Sequence, residues 1–237
     1  MAVWSVAVQW RFPAAWPASF AVEGWARRLG DLATPAANTL VVGAIATFAA
    51  LALAIACLEV EPRRSGAPPA LSLLYLPLLV PQVAFLFGAQ VLLVSSRFDG
   101  TVIAVVWAHL VYVLPYLFLS LADPWRALDP RFARAAASLG ASPARVLFAV
   151  KLPILVRPVA IACAVAFAVS VGLYLPTLFA GNGRVPTLTT EAVTLAAGAD
   201  RRVIGAWAVV QALVPMLAYL AAVLLPGRFH GARRAAS

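Results

Sequence analysis

Five stretches of this 237-residue chain, residues 38–58, 70–94, 101–121, 154–179 and 203–225, are apolar for about twenty residues each. A helix rises about 1.5 Å per residue and the hydrocarbon layer of a bilayer is about 30 Å thick, so each stretch is long enough to cross one. Lipid offers backbone amides no hydrogen-bond partner, which makes a helix the natural state of such a segment. Arg157 is the one charge inside the five runs, and it stands close enough to an end to extend its guanidinium to the interface. With 63% hydrophobic and 11% charged residues the chain cannot cover a water-facing surface, which rules out a soluble enzyme or a disordered tail. The expected fold is an all-α membrane protein with about five full transmembrane helices and a short N-terminal apolar segment.

That first segment, residues 1–10, is too short to span and lacks the basic flank and cleavage site of a signal peptide. It reads as the outer end of a shortened first helix or as an interfacial anchor, and Trp4, Trp10, Trp16 and Trp25 suit a headgroup layer. Five spans place residues 59–69, 122–153 and the tail after Pro226 on one side, with eleven of the eighteen Lys and Arg residues when Arg157 is assigned to the nearer loop. The positive-inside rule makes that side cytoplasmic. The net charge of +9 is spread over the ends of apolar runs, which fits topology better than a nucleic-acid face. Cys57 and Cys163 both lie in apolar runs and read as buried small hydrophobes, with no disulfide framework. The single lysine, Lys151, precedes Leu152 and Pro153, so the chain has no Gly-Lys-Ser/Thr loop for ATP phosphates. His109 and His230 offer no paired metal-ligand spacing, and no catalytic constellation is present.

The segment 128–155, LDPRFARAAASLGASPARVLFAVKLPIL, is too polar to span and carries two helix-start signals. Asp129 can cap a helix that begins at Pro130, and the alanines after Arg131 favour its propagation. Gly140 ends it, and Ser142-Pro143 starts a second short helix that closes near Pro153. The result is a helix–turn–helix at the membrane surface. Its alanine face lets another protein approach closely, and Phe132, Leu139 and Phe148 are apolar anchors. About thirty residues with two caps is long for a plain connector, so a docking element is favoured over an ordinary connector between two spans.

Ala135-Ala136, three residues, Gly140, nine residues, then Val150, Lys151, Leu152 and Pro153 resemble the EAA loop of ABC-importer permeases. Asp129, Pro130, Phe132, Leu139, Ala141 and Ser142 fall within the same loop. The resemblance covers about 34–225, and Asn38-Thr39-Leu40 is similar to the usual start of the family's second helix. Within it, 109–125, 167–183 and 185–205 resemble the second half of YnjC-like permeases, a subgroup associated with thiamine, ferric-iron and sulfate import. It implies residues 1–33 as an N-terminal remnant and periplasmic segment, 34–225 as the permease domain, and 226–237 as a basic cytoplasmic tail. It also implies a first helix that is shortened or missing here. The implied fold is that of a type I importer permease, multi-pass in a bacterial inner membrane, with the EAA loop and C-terminus cytoplasmic. The implied partners are an ATP-binding subunit, which would hold ATP and Mg, a second permease copy or homologous half, and a periplasmic or extracellular solute-binding protein. No cofactor is implied in this chain. Arg134 stands where the family has glutamate: either the partner supplies a matching acid, or this copy couples less tightly.

Polar groups within spans are candidates for a translocation path. Gln82 and Gln90 lie on the second run, and His109, Tyr112 and Tyr116 recur on one face of the third. Interhelical hydrogen bonding is the competing role for each. Pro81, Pro115, Pro176 and Pro215 interrupt four runs and can bend them. In the segment 181–202 a Gly-Asn-Gly turn leads to a short helix over 190–197. By resemblance, Asn182, Thr189, Thr190 and Glu191 are candidates for docking the solute-binding protein, against the alternative of a solvated loop. Two other functions remain: an ATP-independent secondary transporter, for which His109 is the only ionisable group at mid-span, and a non-transporting membrane scaffold.

Overall fold

A computed structural model of the chain describes residues 2–7, 10, 13–20, 25–61, 73–198 and 201–234, with side chains of 25–29, 201–202 and 225–234 excluded. Among the described residues its regular structure is helical, apart from one isolated antiparallel bridge between Ala7 and Phe20. In chain order the elements are α1 Ala2–Val6, α2 Trp25–Val60, α3 Leu76–Leu79, α4 Gln82–Ser95, α5 Val102–Arg126, α6 Pro130–Ser138 and α7 Pro143–Val146. A π-helical turn Leu147–Lys151 and α8 Leu152–Ile154 follow, then α9 Val156–Gly172, α10 Leu175–Gly181, α11 Leu188–Ala196 and α12 Arg201–Arg234.

The centre of the molecule is α5, packed against α2 and α9. Along α2, Val42, Ala46, Ala50, Ala54 and Leu58 recur every fourth residue, all 1% exposed or less. That stripe of mostly methyl-sized side chains lets helix axes approach, and close van der Waals packing is what holds helices together where lipid supplies no hydrophobic driving force. Val113, Leu117, Phe118 and Leu121 of α5 fill the facing side, with Ala162 and Ala166 of α9 closing the cluster. Higher up the same pair, Gly43 faces α9 so closely that a Cβ there would sit 2.7 Å from a Phe167 ring carbon.

Among the described residues three helices are long and apolar enough to cross a membrane: α2 over Gly30–Val60, α5, and α12 over Val203–Leu224. A fourth crossing arises if the pair Pro143–Ile154 and Val156–Gly172, bent by 81°, counts as one span. The remaining two of the five expected spans are interrupted, for reasons local to proline. The run 70–94 breaks at Val80, which is extended (ψ 136°) because it precedes Pro81, and leaves α4 with only 14 residues. Residues 70–72 lie outside the described residues. The run 154–179 breaks twice. Pro158 has no N–H for the Ile154 carbonyl and its ring crowds that carbonyl, so the chain turns at Leu155. After Gly172 it opens at Leu173 and restarts as α10 with Pro176 in its first turn. Pro115 and Pro215, by contrast, are absorbed within the continuous α5 and α12.

At the N-terminus α1 lies against α12. Trp4 stacks on Trp10 at 4.3 Å between ring centroids, and the Trp10 indole N–H donates to the Ala14 carbonyl. Helix α2 begins at Trp25, so the division expected at 33/34 falls inside a continuous helix. The segment after Pro226 continues α12 as far as Arg234.

Candidate functional site

At the C-terminal end of α5 the chain leaves the bundle as a helix–turn–helix. The Asp129 carboxylate accepts from the Arg131 amide at 2.8 Å and Pro130 occupies the first turn, so α6 starts where the cap-plus-proline signal predicts. No residue of α6 is buried. Gly140 adopts φ +79°, a left-handed conformation that costs any other residue about 1–2 kcal/mol, and it reverses the chain. Ser142 then caps α7 through the Arg145 amide at 3.3 Å. Phe132, Leu139 and Phe148 are 54%, 89% and 67% exposed, so the three apolar anchors face outward together with Arg134 and Ala135. Ala136, Ala141 and Val150 are half-buried, as are Leu152 and Pro153, which lead into the turn at Leu155.

The base of this hairpin is held by ion pairs between elements far apart in sequence. Arg126, the last residue of α5, donates through Nε and Nη2 to both carboxylate oxygens of Glu61, at 3.2 and 2.9 Å. Lys151, in the π-helical turn, donates to Glu59 at the end of α2 and lies 5.9 Å from the centre of the Trp125 ring. Between them is a cleft of about 440 Å³ lined by Leu58, Trp125, Leu128, Pro130 and Ala133 and by the charged Glu61, Arg126, Asp129 and Lys151. The sequence marks these groups only by composition, as one lysine and a Glu-Val-Glu at the end of an apolar run. Nothing in it pairs residue 59 with 151.

In the interior, His109 is 3% exposed and bonded through both ring nitrogens. Nε2 lies 2.8 Å from the Thr177 hydroxyl and Nδ1 2.7 Å from the Ser170 hydroxyl. The Thr177 hydroxyl donates its one proton to the Leu173 carbonyl at 2.6 Å, so it accepts from Nε2–H, and Ser170 donates to Nδ1. A neutral imidazole thus ties α5 to α9 and α10 across the opening at Leu173. The expected stripe of His109, Tyr112 and Tyr116 divides: Tyr112 is buried, its ring edge-on to Phe85, while Tyr116 is 40% exposed. The hydroxyl of Tyr112 and the amide oxygen of Gln90 are buried without a hydrogen-bond partner among the described residues. Gln82 is half-buried at the start of α4.

Gln90 borders a shallow cleft of about 520 Å³ with Leu178, Phe179, Asn182 and Gly183. The structure therefore brings one candidate path residue and one candidate docking residue together. Asn182, exposed, ends α10 at φ 46° and donates to Asp99 at 3.4 Å. This contact lies at the N-terminal end of α5 and the hairpin at its C-terminal end. The helix of 25 residues separates them by about 37 Å. The other docking candidates do not form an outward loop. Helix α11 starts at Leu188, capped by a reciprocal Thr187–Thr190 box, rather than at Thr190. Thr189 is buried, donating to the Val171 carbonyl and accepting from the Gln211 amide at 3.0 Å. Leu188, fully buried with Leu32 and Trp207, pulls the segment inward. Its amide donates to Thr39, and the Asn38 amide donates to the Pro186 carbonyl. Of the four, Asn182 is exposed and Glu191 half-exposed; Thr190 is spent on the cap.

No family model matches the chain. Among curated proteins it is 40% identical over 188 residues to the inner membrane ABC transporter permease protein YnjC of Escherichia coli (strain K12), covering 79% of this chain and 36% of that protein. It is 25% identical over 190 residues to the spermidine/putrescine transport system permease protein PotC homolog of Mycoplasma genitalium, covering 77% and 65%. It is 31% identical over 185 residues to the molybdenum transport system permease protein ModB of Mycobacterium tuberculosis, covering 70% of each. The chain thus spans about a third of the first relative and just under two thirds of the second.

Proposed function

The chain belongs to the ABC transporter permease family, and from that premise we propose that it forms half of a solute path in a bacterial inner membrane and is driven through the α6–α7 hairpin. In this reading ATP and Mg are bound by a separate ATP-binding subunit, and a second permease copy or homologous half completes the path. A solute-binding protein delivers cargo at the opposite face, where Asn182 and Glu191 are its candidate contacts. The observation that carries the proposal is the hairpin itself. A hairpin whose first helix has no buried residue, and which displays Phe132, Leu139 and Phe148 to the outside, gains little from its own fold and much from a partner.

Force applied to the hairpin has defined routes into the bundle. Glu59–Lys151 links it to α2, Glu61–Arg126 ties the end of α2 to the end of α5 from which it emerges, and the turn at Leu155 links it to α9. Closure of the ATP-binding subunits would move these helices as rigid bodies about the breaks at Leu155 and Leu173. Gln90 and Tyr112, whose buried polar atoms have no partner among the described residues, are the favoured path residues. His109 is not, since both its nitrogens are taken up inside the protein, and this also weakens an ATP-independent carrier that would need it for ion coupling.

The test is purification of the tagged chain from its host in mild detergent, with co-eluting proteins identified by mass spectrometry. A P-loop ATPase and a second permease half are expected. Elution of the chain with neither would overturn the proposal.

A further inference from the structure

Resting on the permease reading, we propose that the surface receiving the α6–α7 hairpin is an acidic groove on the ATP-binding subunit, whose carboxylates pair with Arg134 and Arg145. Within residues 127–151 the charged side chains are Asp129, Arg131, Arg134, Arg145 and Lys151. Three of them are already engaged. Lys151 is bound to Glu59, and Asp129 caps α6 while lying 3.9 Å from Arg131. Arg134 and Arg145 are exposed and have no ion-pair partner among the described residues. The hairpin therefore presents two unneutralised guanidinium groups alongside the exposed Leu139, Phe132 and Phe148.

A guanidinium offers a planar fork of donors that matches a carboxylate in two parallel hydrogen bonds, and an apolar rim excludes water from such pairs. The arrangement favours a protein over anionic lipid. An interfacial membrane helix buries a broad face of large side chains, whereas α6 exposes Ala135 and Ala137 and has Phe132 as its one large apolar residue. Alanines contribute little to lipid insertion but allow a neighbouring backbone close approach. Arginine at 134 thus selects its ATP-binding subunit by charge rather than loosening the coupling.

The experiment uses the full chain, co-purified with the ATP-binding subunit of its host. Arg134→Lys keeps the positive charge and adds an exposed amine to a chain whose only lysine is ion-paired to Glu59. Treatment with a carbodiimide, which joins an amine to a carboxylate in direct contact, should yield a peptide linking position 134 to an Asp or Glu of the ATP-binding subunit. Arg134→Glu/Arg145→Glu should lower the retained ATP-binding subunit at least tenfold, and raising salt should release it from the wild type. These positions lie outside the core, so the bundle should remain monodisperse. Leu139→Asp separates the two readings, because it should release the subunit whatever the charge of the groove. If Leu139→Asp releases it but the double glutamate variant retains it and no such linked peptide forms, the acidic groove is wrong and the permease reading stands. If the double variant instead loses co-purifying phosphatidylglycerol while keeping the subunit, the arginines serve lipid and the proposal is overturned. If the wild type retains no ATP-binding subunit, the permease reading fails and the inference with it.

Discussion

His109 separates a structural strut from a transport residue by measurement. His109→Ala removes two hydrogen bonds and the imidazole that fills the junction of α5, α9 and α10. Hydrogen bonds between membrane helices average about 0.6 kcal/mol each, so the pair contributes about 1 kcal/mol. Thr177 keeps its bond to Leu173, but the Ser170 hydroxyl has no other partner among the described residues, and an orphaned buried donor costs about 1–3 kcal/mol. Together these give about 2–4 kcal/mol for His109→Ala. Ser170→Ala, which removes one of these bonds and leaves the buried Nδ1 unmatched, should on the same reckoning cost about 2–4 kcal/mol. In the double variant neither the hydroxyl nor Nδ1 remains to be orphaned, so the combined loss should fall short of the sum by at least about 2 kcal/mol. Equilibrium unfolding in mixed detergent micelles reads all three. Additivity within about 0.3 kcal/mol, or a His109→Ala variant as stable as wild type but inactive in uptake, would refute the strut.

Gly140→Val should leave the unfolding midpoint of the bundle nearly unchanged, because nothing lies within 4 Å of a Cβ there and α6 buries nothing. The strained φ should nevertheless distort the hairpin and abolish retention of the ATP-binding subunit on a tagged-chain column. Lys151→Met leaves Glu59 without its cation. The side chains are 20% and 25% exposed, so the loss should be about 1–2 kcal/mol, below the 3–5 of a fully buried pair, with partial recovery in Lys151→Met/Glu59→Gln on thermal unfolding. Thr39→Val deprives the buried Leu188 amide of its acceptor and should cost about 1–3 kcal/mol, while faster hydrogen exchange at the start of α11 marks where the damage lies.

The caps and turns of the hairpin were legible because their physics is local. Asp129-Pro130, Gly140 and Ser142-Pro143 each specify the backbone within about four residues, and α6 and α7 begin where those signals stand. Apolar run length identified α2, α5 and α12 for the same reason, since crossing a bilayer is a property of one helix. Run length by itself does not show where a proline ends a helix without ending the hydrophobicity, at Pro81 and Pro176, which the sequence marks as interruptions, and before Pro158, which it does not. Glycine and proline alter the backbone, and an apolar count does not register them.

Pairings at long range depended on packing. No spacing rule links His109 to Ser170 and Thr177, Glu59 to Lys151, or Thr39 to Leu188, because those contacts exist only once α2, α5 and α9 lie side by side. For the same reason the threonine-rich segment read as a surface loop proved to be folded inward. Thr189 is hydroxylic and looks solvated in sequence, but Leu188 beside it has a buried site to fill, and satisfying both draws the segment into the bundle. Membrane class, the places of three spans and the caps of the hairpin were thus legible in the sequence alone, through side-chain hydrophobicity and backbone preferences that act over a few residues, although α2 starts well before the run at 38 and α12 runs past the one ending at 225. Which polar groups remain free to meet a solute or a partner was settled by the fold, because a hydrogen bond made inside the bundle withdraws its group from function, and that depends on neighbours far away in the chain.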